Sequence, residues 1–174
     1  MYQFGLIENI PPGSIFLSNG TSRFSELIRI CSSENFLRDS YTHGGIYLGG
    51  PKQLISHQLA GSGATIQPLS KEISSVAAIS IWSAPEAFKN SIQGVINRSL
   101  ASKAPYSLLA AAKRQLGWPI SEQQGLYCIE AILTRFNDSG IPVMGDRLHD
   151  VTPNELRDVL ERNRLWTLVF KLEK

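Results

Sequence analysis

A chain of 174 residues, 43% hydrophobic and 18% charged with a net charge of +2, has the size and composition of one globular domain with a sizeable core, here expected to span 1–174. The slight basicity is spread as single Lys and Arg residues, without the runs that mark a nucleic-acid or anionic-membrane footprint, so no polynucleotide partner is expected. The two cysteines, Cys31 and Cys128, show no CxxC or Cys/His ligand spacing, which argues against a structural zinc site or a disulfide framework; no cofactor is expected.

No basic region followed by an apolar run opens the chain at Met1-Tyr2-Gln3-Phe4-Gly5-Leu6-Ile7-Glu8, and no stretch approaches membrane-spanning length. The expectation is a protein made as a soluble cytoplasmic chain, with export by a machine that reads no cleavable signal left open. Pro11-Pro12-Gly13 is a turn, Ser14-Ile15-Phe16-Leu17 a short strand and Ser18-Asn19-Gly20 a second turn. A helix follows, capped by Thr21 or Ser22, with Phe24, Leu27, Ile28 and Cys31 as its buried stripe, so Cys31 is read as core. After a polar stretch, Tyr41 to Gly50 is β-prone, begins at His43 and closes in a Gly-Gly-Pro turn. Its hairpin partner is Gln53-Leu54-Ile55-Ser56-His57-Gln58-Leu59, and Ala64 to Pro68 predicts one more strand.

Val76 to Trp82 reads as a largely buried strand, after which the pattern turns helical. From Pro85 to about Ser102, Phe88, Ile92, Val95, Ile96 and Leu100 form one stripe; past Ala104-Pro105, Leu108, Leu109, Ala112 and Leu116 form another that ends at Gly117. A third helix starts near Tyr127 with Ile129, Ile132, Leu133 and Phe136 on its inner side and stops at Asn137-Asp138-Ser139-Gly140. Thr152-Pro153-Asn154-Glu155 is a capping box for a last helix to about Glu161, and Leu165 to Phe170 predicts a terminal strand. Strands first and helices second, without regular alternation, give an α+β class with a mainly antiparallel sheet.

Within Gln124-Gly125-Leu126-Tyr127-Cys128-Ile129-Glu130-Ala131, the cysteine falls where a loop becomes a helix. A thiol in a first turn faces unpaired backbone N–H groups and the positive end of the helix dipole, which favours thiolate and marks Cys128 as the candidate nucleophile. The same N–H groups are placed to hold an oxyanion. The alternative is a small buried apolar residue.

Five segments in order, Pro12 to Leu17, Thr42-His43-Gly44-Gly45-Ile46-Tyr47-Leu48-Gly49, Pro105-Tyr106-Ser107, Leu126-Tyr127-Cys128-Ile129-Glu130 and Val151 to Leu156, resemble the circularly permuted papain-like hydrolases, in the YiiX-like branch related to NlpC-type cell-wall peptidases. The order is the specific part, because the histidine strand precedes the cysteine helix. The resemblance implies an antiparallel sheet packed on the cysteine helix, with nucleophile and base meeting across that interface. Cys128 matches the nucleophile and His43 the histidine, a pair whose chemistry is coherent because imidazole can take a thiol proton and return it to a leaving group. Relatives usually carry a glutamate on the next strand to orient the imidazole; this chain has none there, and His57 is the choice, with Ser56 and Gln58 as alternatives. Tyr127 and Tyr106 are lesser candidates, for the oxyanion pocket and the substrate cleft. The resemblance implies a cysteine hydrolase acting through a thioester, on a peptide amide of peptidoglycan first, on a lipid or acyl ester or amide second. An inactive binding module on the same fold is the reading from a different class.

Overall fold

In a computed structural model, residues 7, 9–20, 41–59, 62–103, 105, 127–149 and 151–173 are described. The helices expected from Thr21 to Cys31 and, past Pro105, through Leu108 to Gly117, with Cys31 and Tyr106, lie outside these residues. The elements are β1 (Ile15–Gly20), β2 (His43–Gly49), β3 (Leu54–Leu59), β4 (Gly63–Pro68), α1 (Leu69–Ser75), β5 (Val76–Ser83), α2 (Lys89–Ala101), α3 (Cys128–Asn137), β6 (Val143–Asp146), α4 (Pro153–Arg162) and β7 (Thr167–Glu173). Six strands form one antiparallel sheet in the order β4-β3-β2-β1-β5-β7. The class is α+β, as the succession of patterns predicts.

Both faces of this sheet are covered, which explains why β1 reads as a continuous apolar run and not as an alternation. Ile15, Leu17, Ile46, Leu48 and Trp82 pack on one face against Ile129, Ile132, Leu133 and Phe136 of α3 and Leu156 and Leu160 of α4. On the other face Phe16, Tyr47, Ile55, Ile79 and Ile81 pack against Leu69 and Ile73 of α1. The side-chain period of two decides which residues of each strand meet which layer.

Two close approaches hold the layers. A Cβ at Gly44 would fall 2.8 Å from Leu17 Cδ2 and 3.2 Å from Ile129 Cδ1, so the bare backbone there is what admits the cysteine helix against β2. A Cβ at Gly45, on the opposite pleat, would fall 2.5 Å from both the Phe16 ring and the Ser56 carbonyl oxygen. Local signals end the helices as expected. Gly140 takes φ +77 just beyond α3, and the capping box of α4 is complete, with Thr152 Oγ1 accepting from the Glu155 N–H and Glu155 Oε2 from the Thr152 N–H.

Three expectations are corrected. β1 continues through the Ser18-Asn19-Gly20 turn, because the ladder to β5 extends to Gly20. On α2, Leu100 is 52% exposed while Ser99 is buried, its hydroxyl donating to the Val95 carbonyl and so needing no outside partner. Strand β7 starts two residues later than its apolar run, after a turn in which Leu165 is exposed. Helix α1 and strand β6 were not foreseen: both are too short for a hydrophobic period to register.

Gly45→Ala should destabilise by about 2–3 kcal/mol, since one contact it creates is with backbone and cannot be relieved by a rotamer change. Thr152→Ala should cost about 1 kcal/mol by loss of the cap. Urea unfolding of both variants against the parent checks the order.

Candidate functional site

Cys128 is the first residue of α3, after Tyr127 in extended conformation. The backbone N–H groups of Gly44, Ile129 and Cys128 itself act electrostatically on its thiol, each favouring the thiolate. One of these donors belongs to β2 and the others to the open first turn of the helix, so strand and helix together surround the sulfur with N–H groups. Burial nevertheless wins over these donors: Cys128 is 6% exposed and its thiol is pushed up to about 11. This corrects the expectation of a thiolate. The dipole and N–H groups act in the predicted direction, but removal from water acts more strongly.

His43 opens β2 and points to the pleat face opposite α3, the face it shares with Gly45, Phe16 and Ser18 through the strand register. Strand β3 brings His57 to the same face, and His57 Nδ1 lies 2.9 Å from His43 Nε2. This engages one nitrogen of His43 and leaves Nδ1 as its second. The Phe16 ring lies beside both imidazoles, with centroids 6.3 Å and 6.2 Å away. Ser56 and Gln58, one residue either side, alternate to the α3 face, where both are buried and their side-chain polar atoms have no hydrogen-bond partner among the described residues.

Glu72, absent from every sequence expectation, completes the group. It projects from α1, is 6% exposed, and puts Oε2 3.9 Å from His57 Nδ1. The Ser18 hydroxyl donates to its Oε1 at 2.7 Å and the Gln67 amide to its Oε2 at 3.2 Å. A carboxylate is thus present near the histidines, but it comes from the helix after β4 and not from β3. The signal was Leu69-Ser70-Lys71-Glu72-Ile73, where Leu69 and Ile73 at i, i+4 could have marked a helical turn. His43, His57 and Glu72 each offer a metal-ligating atom, all within 4.8 Å of one another.

Burial holds both imidazoles down at about 4; for His57 the neighbouring His43 adds to this and Glu72 opposes it. At neutral pH both rings are neutral, and so is the buried thiol on the other face of the sheet.

The hydroxyl of Tyr127 donates to the Val151 carbonyl at 2.9 Å and accepts from the Val151 N–H at 3.2 Å. It clasps the loop before α4 and so ties that loop to the residue that precedes the thiol. Glu130, buried on α3, pairs with the half-exposed-to-open His149 ring through Nδ1.

No family model matches this sequence, and no curated protein does. Among solved structures, metalloprotein YiiX from Escherichia coli O157:H7 is similar, with a TM-score of 0.60 at 15% identity over 95% of this chain and 99% of that one. The likeness is one of fold: this chain has a YiiX-like fold.

Two outcomes follow from the protonation states. Each histidine's pKa is lower in the folded than in the unfolded chain, so its contribution to stability is complete above about 6.5 and is lost as pH falls through about 4. The urea midpoint should therefore drop steeply between those values, and less so in His57→Asn. Iodoacetamide should label Cys128 in the native protein at least about a hundredfold more slowly at pH 7 than it labels an unstructured cysteine peptide, as followed by peptide mass mapping.

Proposed function

We propose that this chain is a cysteine hydrolase of the permuted papain-like kind, related to the NlpC-type peptidases, that cleaves an amide through a thioester on Cys128. The observation that carries the reading is the thiol at the first residue of a helix packed against the backbone of Gly44, the residue that follows a histidine whose Nε2 is already engaged by a second histidine. His43 Nδ1 is the nitrogen left to serve the thiol, and turnover requires the ring to swing round the start of β2 to meet it. His57, accepting at Nδ1, holds the ring in the tautomer that keeps His43 Nδ1 basic, and Glu72, 3.9 Å from His57 Nδ1, favours positive charge on the pair as the proton arrives.

Because thiol and imidazole both rest neutral, proton transfer accompanies attack. Cys128 Sγ bonds to the substrate carbonyl carbon as its proton passes to His43 Nδ1. The carbonyl oxygen takes the negative charge and is held by N–H groups at the start of α3. Collapse of that intermediate expels the amine, which takes the proton from His43. Water, deprotonated by the same nitrogen, then releases the acid from the thioester. A peptide amide of peptidoglycan is the leading substrate, on the strength of the NlpC-type kinship.

One observation favours a second reading, a binding module that has kept the fold. The pleat sends the His43 ring to the face opposite α3, and Cys128 is buried. The substitutions separate the two readings. In a digest of purified muropeptides beside a panel of acyl esters, Cys128→Ala and His43→Ala should abolish turnover while leaving the melting temperature of Cys128→Ala nearly unchanged. His57→Ala should retain partial activity, with a loss on the order of 10²-fold. Full biological effect in Cys128→Ala would end the hydrolase reading.

A further inference from the structure

Glu72 is a carboxylate with almost no access to water, and among the described residues its sole ion-pair contact is the His57 ring at 3.9 Å, a cation only when protonated. A buried carboxylate without a countercharge is costly, and hydrogen bonds from a serine and a glutamine offset only part of that cost. What faces it is the shared pair of ring nitrogens, His43 Nε2 and His57 Nδ1.

We propose that His43, His57 and Glu72 form a binding site for one divalent transition-metal ion, with zinc the best match. Two imidazole nitrogens and one carboxylate oxygen form a three-ligand set that leaves a fourth position open, as in the catalytic type of zinc site. Tetrahedral bonds of about 2.0–2.1 Å place ligand atoms about 3.3 Å apart. The nitrogen pair at 2.9 Å and the nitrogen–oxygen pair at 3.9 Å straddle that spacing, so small changes of side-chain torsion bring the three atoms to it. Imidazole ligands select against calcium and magnesium, which require oxygen.

The outer shell is already built: Ser18 and Gln67 fix the two oxygens of Glu72. Such partners orient a ligating carboxylate before an ion arrives. The sequence conceals the site because its ligands come from two strands and a seven-residue helix, with none of the short spacings of zinc motifs.

An ion here takes the nitrogens that His43 and His57 otherwise share, so the metal-bound state and the hydrogen-bonded pair exclude one another. Metal binding itself does not depend on Cys128 being a nucleophile. Only its consequence does, namely that the loaded chain loses the proton relay of the proposed hydrolase.

The test is calorimetric titration of the full chain, stripped with chelator, with zinc chloride, and with cobalt chloride followed by its visible absorption. Expected are one ion per chain, a cobalt band of four- or five-coordinate type, and at least about tenfold weaker binding in His57→Asn and Glu72→Gln. Cys128→Ser should bind as the parent does. Circular dichroism confirms that each variant is folded; should His57→Asn fail to fold, Glu72→Gln and the cobalt spectrum decide alone. Absence of stoichiometric binding, binding unchanged in Glu72→Gln, or binding lost in Cys128→Ser would each overturn the assignment. Loss of turnover in Cys128→Ala with zinc binding intact would leave both readings standing, whereas zinc binding without turnover in the parent would remove only the hydrolase.

Discussion

The missing side chain of Gly44 is the constraint on which the site depends. Leu17 from β1 and Ile129 from α3 converge on the space a Cβ would need, so helix and strand meet backbone against side chain. That approach lets a strand N–H reach the sulfur of Cys128. A larger residue would keep the helix at the ordinary spacing of side-chain layers and leave the thiol with only its own helix's donors. The glycine also sets the terms of the chemistry, because the contact that supplies the donor expels the water that would have stabilised a thiolate. Donor and desolvation arrive together, and the second is the larger.

The sheet is a partition as well as a scaffold. Its α3 face holds the cysteine, Ser56 and Gln58; its α1 face holds the two imidazoles and the carboxylate. On the face opposite α3, His43, His57, Ser18 and Glu72 cluster together, and the surrounding Phe16, Tyr47, Ile55 and Ile79 make that cluster a polar island beside an apolar layer. Interactions within such an island are strong because little water screens them, and each unpaired atom is correspondingly costly. His57 Nε2 is one such atom, buried with no partner.

Much of the fold was legible because long elements carry long periods. The stripe of α3 and the Thr152-Glu155 cap each repeat a signal across several residues, and the structure sets them where the pattern puts them. The choice among Ser56, His57 and Gln58 was a question of parity, and parity in a strand is decided by its partner's register, which lies outside the strand's own residues. Glu72 was illegible for a different reason. A strand search for a carboxylate presumes that it comes from the sheet, whereas the carboxylate near these histidines lies on a helix of seven residues tucked between β4 and β5. The protonation of Cys128 was misread because capping geometry is local and visible in sequence, while desolvation is a property of everything packed around the site.

The contiguity of β2, β3, β4 and α1 has a consequence for how the protein comes into being. His43 and His57 are 14 residues apart, and Glu72 follows on the next helix. The thiol must be brought to Gly44 from a point about six times farther along the chain, at an added loop-closure cost of about 1.5 kcal/mol. Short-range pairings are the faster ones to form. On that basis the imidazole cluster, contained within a local meander, is expected to assemble before the cysteine docks. During synthesis Cys128 emerges only after the histidine hairpin, so the imidazole pair can be in place before that thiol reaches Gly44.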